Sequence, residues 1–228
     1  MGKLFVVATP IGNLGDITLR AIETLKTVDL ILAEDTRVTQ KLLYHFNIKK
    51  SVLAYHEHSS LGIYEKVYKL LLENKNLALV SDSGTPGISD PGAKLIQFLN
   101  NQNKEIKIIP IPGPSALIAA LSVSGINSDQ FTFLGFPPHK KGREKFFNSL
   151  KEIKTWPIVL YESPHRFLKT LNSLKKVFGE NLNLVICREL TKLYEEIWRG
   201  SIDEAILYFN KKEKSRGEFV LILNILDL

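Results

Sequence analysis

The chain has 228 residues, 44% hydrophobic and 24% charged, which excludes general disorder and is long enough to bury a sizeable core. With 30 Lys and Arg against 24 Asp and Glu, the formal net charge is +6, which admits an acidic partner without requiring one. Cys187 is the only cysteine, so an intrachain disulfide and a Cys-based zinc site are excluded and a reducing, cytoplasmic setting is expected.

Residues 3–9 (KLFVVAT) read as a buried strand. This run, broken by Pro10, is too short for a signal peptide's apolar core or a membrane span, and no later window reaches about 18 uncharged apolar residues. Leu19, Ile22, Leu25 and Val28 recur at helical spacing over 18–28, and 29–33 (DLILA) is a second strand. Helices are expected over 37–46, 61–74 and about 91–102, with strands at 77–81 and 106–111. Such alternation predicts a largely parallel sheet covered on both faces. A second series follows. Strands are expected at 131–135, 157–161, 182–187, 193–199 and 218–226, with helices at 142–154, 165–178 and 202–211. Two α/β domains, 1–112 and 113–228, fit this pattern, divided in the turn-rich PIPGPSA.

Three loops depart from plain connections. TPIGNLGD (9–16) carries Gly12 and Gly15, with Asp16 placed to cap the next helix. It has neither the Lys-Ser/Thr of a Walker loop nor G-x-G-x-x-G. SDSGTPGISDPG (81–92) follows a strand, where open α/β sheets bind ligands. Its Asp82 and Asp90 suit either polar ligand groups or helix capping. PIPGPSALIAALS (110–122) opens a small-residue helix whose first amides suit an anion. His45, His56 and His58 lack suitably spaced carboxylates, so no metal is expected.

Taken in order, TPIGNLGDITLRA, AEDTR (33–37), SDSGTPGISDPG, PGPSA (112–116), FLGFPPHKKGR (133–143), YESPHR (161–166) and CREL-TK-YEE (187–196) carry a resemblance over essentially the whole chain. They closely resemble the ribosomal small-subunit RNA methyltransferases of the tetrapyrrole methylase superfamily. Where the corrin and haem-precursor methylases carry Gly-Asp-Pro, this chain reads Ser81-Asp82-Ser83-Gly84-Thr85-Pro86, as in the rRNA branch.

The resemblance implies two α/β domains with S-adenosylmethionine in the cleft between them, and a homodimer. It implies cofactor contacts at Pro10, Asp82, Gly84, Thr85, Gly87, Ser115, Ala116, Tyr161, Glu162, Leu190 and Glu218. The implied reaction moves a methyl group to the 2′-hydroxyl of a cytidine ribose in 16S rRNA of the small subunit. That hydroxyl is a weak acid, so a proton acceptor or strong electrostatic partner is needed. Arg37, Glu162, His165, Arg188 and Glu189 are the candidates. Arg37, Arg166 and Arg188 suit either phosphates or ion pairs with Asp35, Glu162 or Glu189. Two other readings stay open: a methylase of this fold acting on a tetrapyrrole or protein residue, and a non-enzymatic RNA-binding protein.

Residues 1–113 hold 13 basic and 11 acidic residues, whereas 114–228 hold 17 and 13. The excess concentrates in 139–154, beside Phe133 and Phe136, and again at Lys211, Lys212, Lys214 and Arg216. Basic residues interleaved with aromatics suit RNA phosphates and unpaired bases. Lys140, Lys141, Arg143, Arg166 and Lys192 are the expected RNA contacts. Phe146 and Phe147 are expected to face the core.

Overall fold

Apolar runs that alternate with amphipathic helices over the first half build five strands: β1 (Lys3–Val7), β2 (Leu30–Ala33), β3 (Val52–Ala54), β4 (Leu77–Val80) and β5 (Lys107–Ile111). In the computed structural model, which describes residues 1–57, 59–211 and 214–225, all five are parallel in the order β3-β2-β4-β1-β5. His58, Lys212 and the expected strand end at 226 lie outside the described residues.

Alternate side chains of each strand serve different cores, as the period of two demands. Leu77 and Leu79 of β4 pack with Leu4 and Leu32 under α3 (Leu61–Leu72) and α4 (Ala93–Gln102). Ala78 and Val80 pack with Val7, Ile31 and Ala33 under α1 (Leu19–Thr27) and α2 (Thr36–His45). Burial on both faces is why these strands are continuously apolar.

The helix starts differ from the sequence expectation in two places. Thr18, not Asp16, caps α1, its hydroxyl accepting from the Ala21 N–H at 3.1 Å. Gly92, not Asp90, stands at the cap of α4 and makes no side-chain capping bond, so Asp90 is left for another role.

Contacts divide the chain after Ser115 into two compact units, against an expected division after Pro112. The second unit holds α5 (Ala116–Ser124), β6 (Thr132–Phe133), α6 (Arg143–Ser149), β7 (Ile158–Glu162), α7 (Pro164–Phe178), β8 (Leu182–Arg188), β9 (Glu196–Ser201), α8 (Ile202–Phe209) and β10 (Phe219–Ile225). Its sheet runs β6-β7-β10-β8-β9 and is mixed: β6 and β7 pair in parallel, and the other neighbours pair antiparallel. The last strand returns to the middle of the sheet, so its FVLILNI sequence is apolar over most of its length. Phe147, Phe167, Leu171, Phe209 and Phe219 fill one core, where the Phe167 and Phe219 rings stack at 3.8 Å.

The expected basic helix at 142–154 is shorter. It is α6 followed by a 3-10 turn at Leu150–Glu152. Phe147 is buried and Phe146 packs against the core, as the sequence reading expected. Among the described residues, no helix is long and apolar enough to cross a membrane.

Candidate functional site

The parallel sheet delivers its loops to one edge. The chain leaves β1 toward α1 on one face and β4 toward α4 on the other, and these strands are neighbours. A crevice outside the strand ends is expected at such a switch point. The loops there are tied together. Thr9 and Gly84 exchange two backbone hydrogen bonds, at 2.9 and 3.0 Å, and the Thr9 hydroxyl donates to the Ser81 carbonyl at 3.2 Å. The Thr85 hydroxyl donates to the Pro114 carbonyl at 3.2 Å. Gly84 needs its φ of +78° to make this turn, and Gly87 at +84° continues it. Of the expected cofactor residues, Pro10, Asp82, Gly84, Thr85, Gly87 and Ser115 therefore belong to three loops of one edge.

The edge is acidic. Asp82 Oδ1 accepts from the Asp35 N–H at 2.9 Å, which ties the β2 loop to the β4 loop. Burial pushes the Glu34 carboxyl up, and the charge of Asp82 adds to this. Burial likewise pushes Asp90 up to about 7, with the charges of Glu34 and Asp82 acting the same way against a hydrogen bond from Ser81. The sequence left Asp90 between cap and ligand contact, and the signal that separates these is its place two residues ahead of the actual cap. Arg37 is an exposed partner of Asp35, with Nη2 2.6 Å from Oδ2, and its hydrogen bonds hold Asp35 well below the usual carboxylate range.

In the second unit, Tyr161 accepts from the Leu117 N–H at 3.0 Å, beside Ala116 at the start of α5. Glu162, expected in catalysis, lies buried at the end of β7 and is tied into the fold. Its Oε1 accepts from the Ser163 N–H at 2.8 Å and pairs with Arg166 Nη2 at 2.9 Å, while its Oε2 accepts from the Thr170 hydroxyl. Both oxygens have donors and the side chain is fully buried, so a substrate hydroxyl has no path to Glu162. Sequence reasoning missed Thr170, two helical turns further on, where a buried threonine carried no distinguishing pattern.

Arg143, expected among the RNA contacts, is turned inward. It is 6% exposed, donates to the Pro138 carbonyl at 3.1 Å and to the Thr170 hydroxyl at 2.7 Å, and cannot meet RNA. Arg166 is likewise held inside, by Glu162, Ser163 Oγ and the Pro137 carbonyl. Lys140 and Lys141 are exposed, and so is His165 in the first turn of α7.

The CREL segment forms a closed knot. Glu189 and Thr191 have φ of 50° and 67°, a conformation that side chains other than glycine rarely take. Lys192 Nζ binds Glu189 Oε1 at 3.0 Å and Glu218 Oε2 at 2.8 Å, so its charge is matched within the fold. Burial raises the Glu189 carboxyl, but the Glu218 N–H, Lys192 and Arg188 outweigh it and leave Glu189 below the ordinary value. Gly217 lies so close that a Cβ there would meet Glu189 Cγ at 2.5 Å. Leu190, between Glu189 and Thr191, is buried. Arg188 donates to the Arg216 carbonyl at 2.6 Å and pairs with Glu196 at 3.3 Å. Lys214, expected in a second basic patch, is bound to Glu196 at 2.9 Å.

The fold is one shared with solved methyltransferases. The solved structure of the methyltransferase CobJ matches with a TM-score of 0.70 at 18% identity, over 97% of this chain and 94% of that one. The cobalt precorrin-4 methyltransferase CbiF matches with a TM-score of 0.69 at 18% identity, over 96% and 94%. The chain belongs to the tetrapyrrole (corrin/porphyrin) methylase family, whose model matches residues 3–206. Much nearer in sequence is a Synechocystis protein named ribosomal RNA small subunit methyltransferase I, 50% identical over 98% of this chain and 79% of its own length. Proteins of the same name from Thermotoga maritima (46%, covering 98% and 99%) and Escherichia coli O157:H7 (45%, covering 97% and 77%) are similar over the same span.

Proposed function

We propose that this chain uses S-adenosylmethionine to methylate the 2′-hydroxyl of a cytidine ribose in 16S rRNA of the small ribosomal subunit. The observation that carries the reading is 45–50% identity across nearly the whole chain to proteins named as rRNA small-subunit methyltransferases. The Ser81–Pro86 segment, in place of Gly-Asp-Pro, favours the same branch over a tetrapyrrole substrate. By the same resemblance we assign the protein to the cytoplasm and to a homodimer.

The donor set at the sheet edge fits this cofactor. Its sulfonium and ammonium are cations, and Glu34, Asp82 and Asp90 supply opposing charge beside loops rich in open backbone. Bound there, S-adenosylmethionine supplies an electrophilic methyl group on a good leaving group. The chain's own task is alignment and proton removal. The Thr9–Gly84 bonds and the Thr85–Pro114 bond keep the loops from spreading. Glu162 is engaged by Arg166 and Thr170, and Glu189 is held ionised by its neighbours. We therefore assign proton acceptance to Asp90, raised to about 7, or to the exposed imidazole of His165.

The test is methyl transfer from labelled cofactor to small subunits that lack the modification, followed by mapping of the label. Label on the 2′-oxygen of one cytidine is the expected result. Label in a small molecule and none in RNA would overturn the reading. A non-enzymatic binder would show no thermal shift with cofactor, whereas cofactor at 100 times its Kd stabilises a binder by about 2.7 kcal/mol.

A further inference from the structure

Phe136 is 50% exposed in the turn between β6 and α6, yet its ring is held on two sides. The Tyr161 ring meets it edge-on at 5.5 Å, and the Arg166 guanidinium stands 5.9 Å from its centroid. The backbone beside it is fixed as well. Arg166 Nη1 donates to the Pro137 carbonyl at 2.8 Å, and Arg143 Nη1 donates to the Pro138 carbonyl at 3.1 Å. Both guanidiniums meet at the buried Glu162, directly for Arg166 and through the Thr170 hydroxyl for Arg143. One buried and one largely buried cation thus grip two consecutive carbonyls immediately after Phe136. A few residues on, Lys140 and Lys141 are exposed and make no ion pair among the described residues. A fixed, exposed aromatic ring therefore stands in the same turn as two unmatched positive charges.

We propose that Phe136 is a stacking platform for an unpaired base of the RNA substrate, with Lys140 and Lys141 taking flanking phosphates and the Glu162–Arg166–Arg143 clamp holding the platform still. This rests on the RNA reading above and deepens it. An aromatic face accepts any base, and a ring already ordered by its neighbours loses little freedom when a base lands on it. Bases in a duplex have their faces covered, so the platform selects unpaired RNA. Glu162 is then a positioning residue, which accounts for a carboxylate inside the fold with every oxygen engaged.

The test compares wild type, Phe136→Ala and Phe136→Trp by steady-state methyl transfer to small ribosomal subunits, with cofactor Kd measured separately. Phe136→Ala should raise KM for the subunit about tenfold, with a smaller change in kcat and an unchanged cofactor Kd. Phe136→Trp should restore KM. An unchanged KM in Phe136→Ala, or a loss confined to kcat, would overturn the platform while leaving the RNA reading intact. Failure of the wild type to methylate any RNA would overturn both.

Discussion

Arg166 Nη2 lies 2.9 Å from Glu162 Oε1, with the carboxylate wholly removed from solvent and the guanidinium nearly so. Removing one member of such a pair leaves an uncompensated buried charge, which costs roughly 3–5 kcal/mol. Glu162 faces two guanidiniums, since Arg143 Nη1 is also 3.9 Å from Oε2. Glu162→Ala should therefore destabilise the second unit by about that amount, and Glu162→Gln by less, because the amide still bonds Thr170. Urea unfolding measures both. An alanine variant as stable as wild type would refute the anchoring role.

The parallel sheet was readable from sequence because burial on both faces makes Leu77–Val80 and Leu30–Ala33 uninterrupted apolar runs. β3 was not, since Val52–Ala54 is a three-residue edge strand, too short to show a period. The mixed second sheet was hidden for another reason: an apolar run does not encode the direction of its partner. At the site, the Gly- and Pro-rich loops were legible through composition. The fates of Arg143 and Lys192 were not. Sequence shows where charge is dense but not which cation is turned inward, and Arg143 differs from exposed Lys140 only in that its fork reaches the Pro138 carbonyl and Thr170.

Asp90 predicts a pH dependence. Its carboxyl sits at about 7 in the fold, against about 3.9 unfolded, so the folded state holds the extra proton between those values. Stability from this group is complete below about pH 4, declines as pH rises toward 7, and is flat above. The group is partly exposed, so screening reduces the effect to on the order of 1 kcal/mol. Asp90→Asn should abolish that decline in thermal melts taken across the range. Cationic cofactor bound at the same edge favours ionised Asp90, so binding should release a proton near neutrality. Calorimetry in two buffers of different ionisation enthalpy reads this directly, and equal heats would count against it.

Gly84→Ala separates strain from site. Gly84 and Gly125 have nearly the same φ, +78° and +76°, and alanine at either pays a backbone cost of about 1–2 kcal/mol. Around Gly125 nothing lies within 4 Å, whereas a Cβ at Gly84 would stand 3.4 Å from Ile11 in a loop bonded to Thr9. Both variants should melt earlier by similar amounts. Only Gly84→Ala should weaken S-adenosylmethionine binding, read by calorimetry. Equal cofactor affinity in the two variants would remove the loop from the cofactor site.

The burial of Arg143 decides which charges to reverse when testing RNA contact. Arg143→Glu would place a carboxylate beside Glu162 in the core and unfold the region before any RNA effect is visible. Lys140→Glu with Lys141→Glu alters exposed cations only. If both meet single-stranded phosphates, each contributes about 0.7 to the slope of log K against log salt. The double variant should bind small-subunit RNA more weakly at low salt, with a slope shallower by about 1.4, an unchanged melting temperature and an unchanged cofactor affinity. A salt slope identical to wild type would show that the basic turn does not face RNA. A matching fall in cofactor affinity would show that Lys140 and Lys141 act on the cofactor's loops instead.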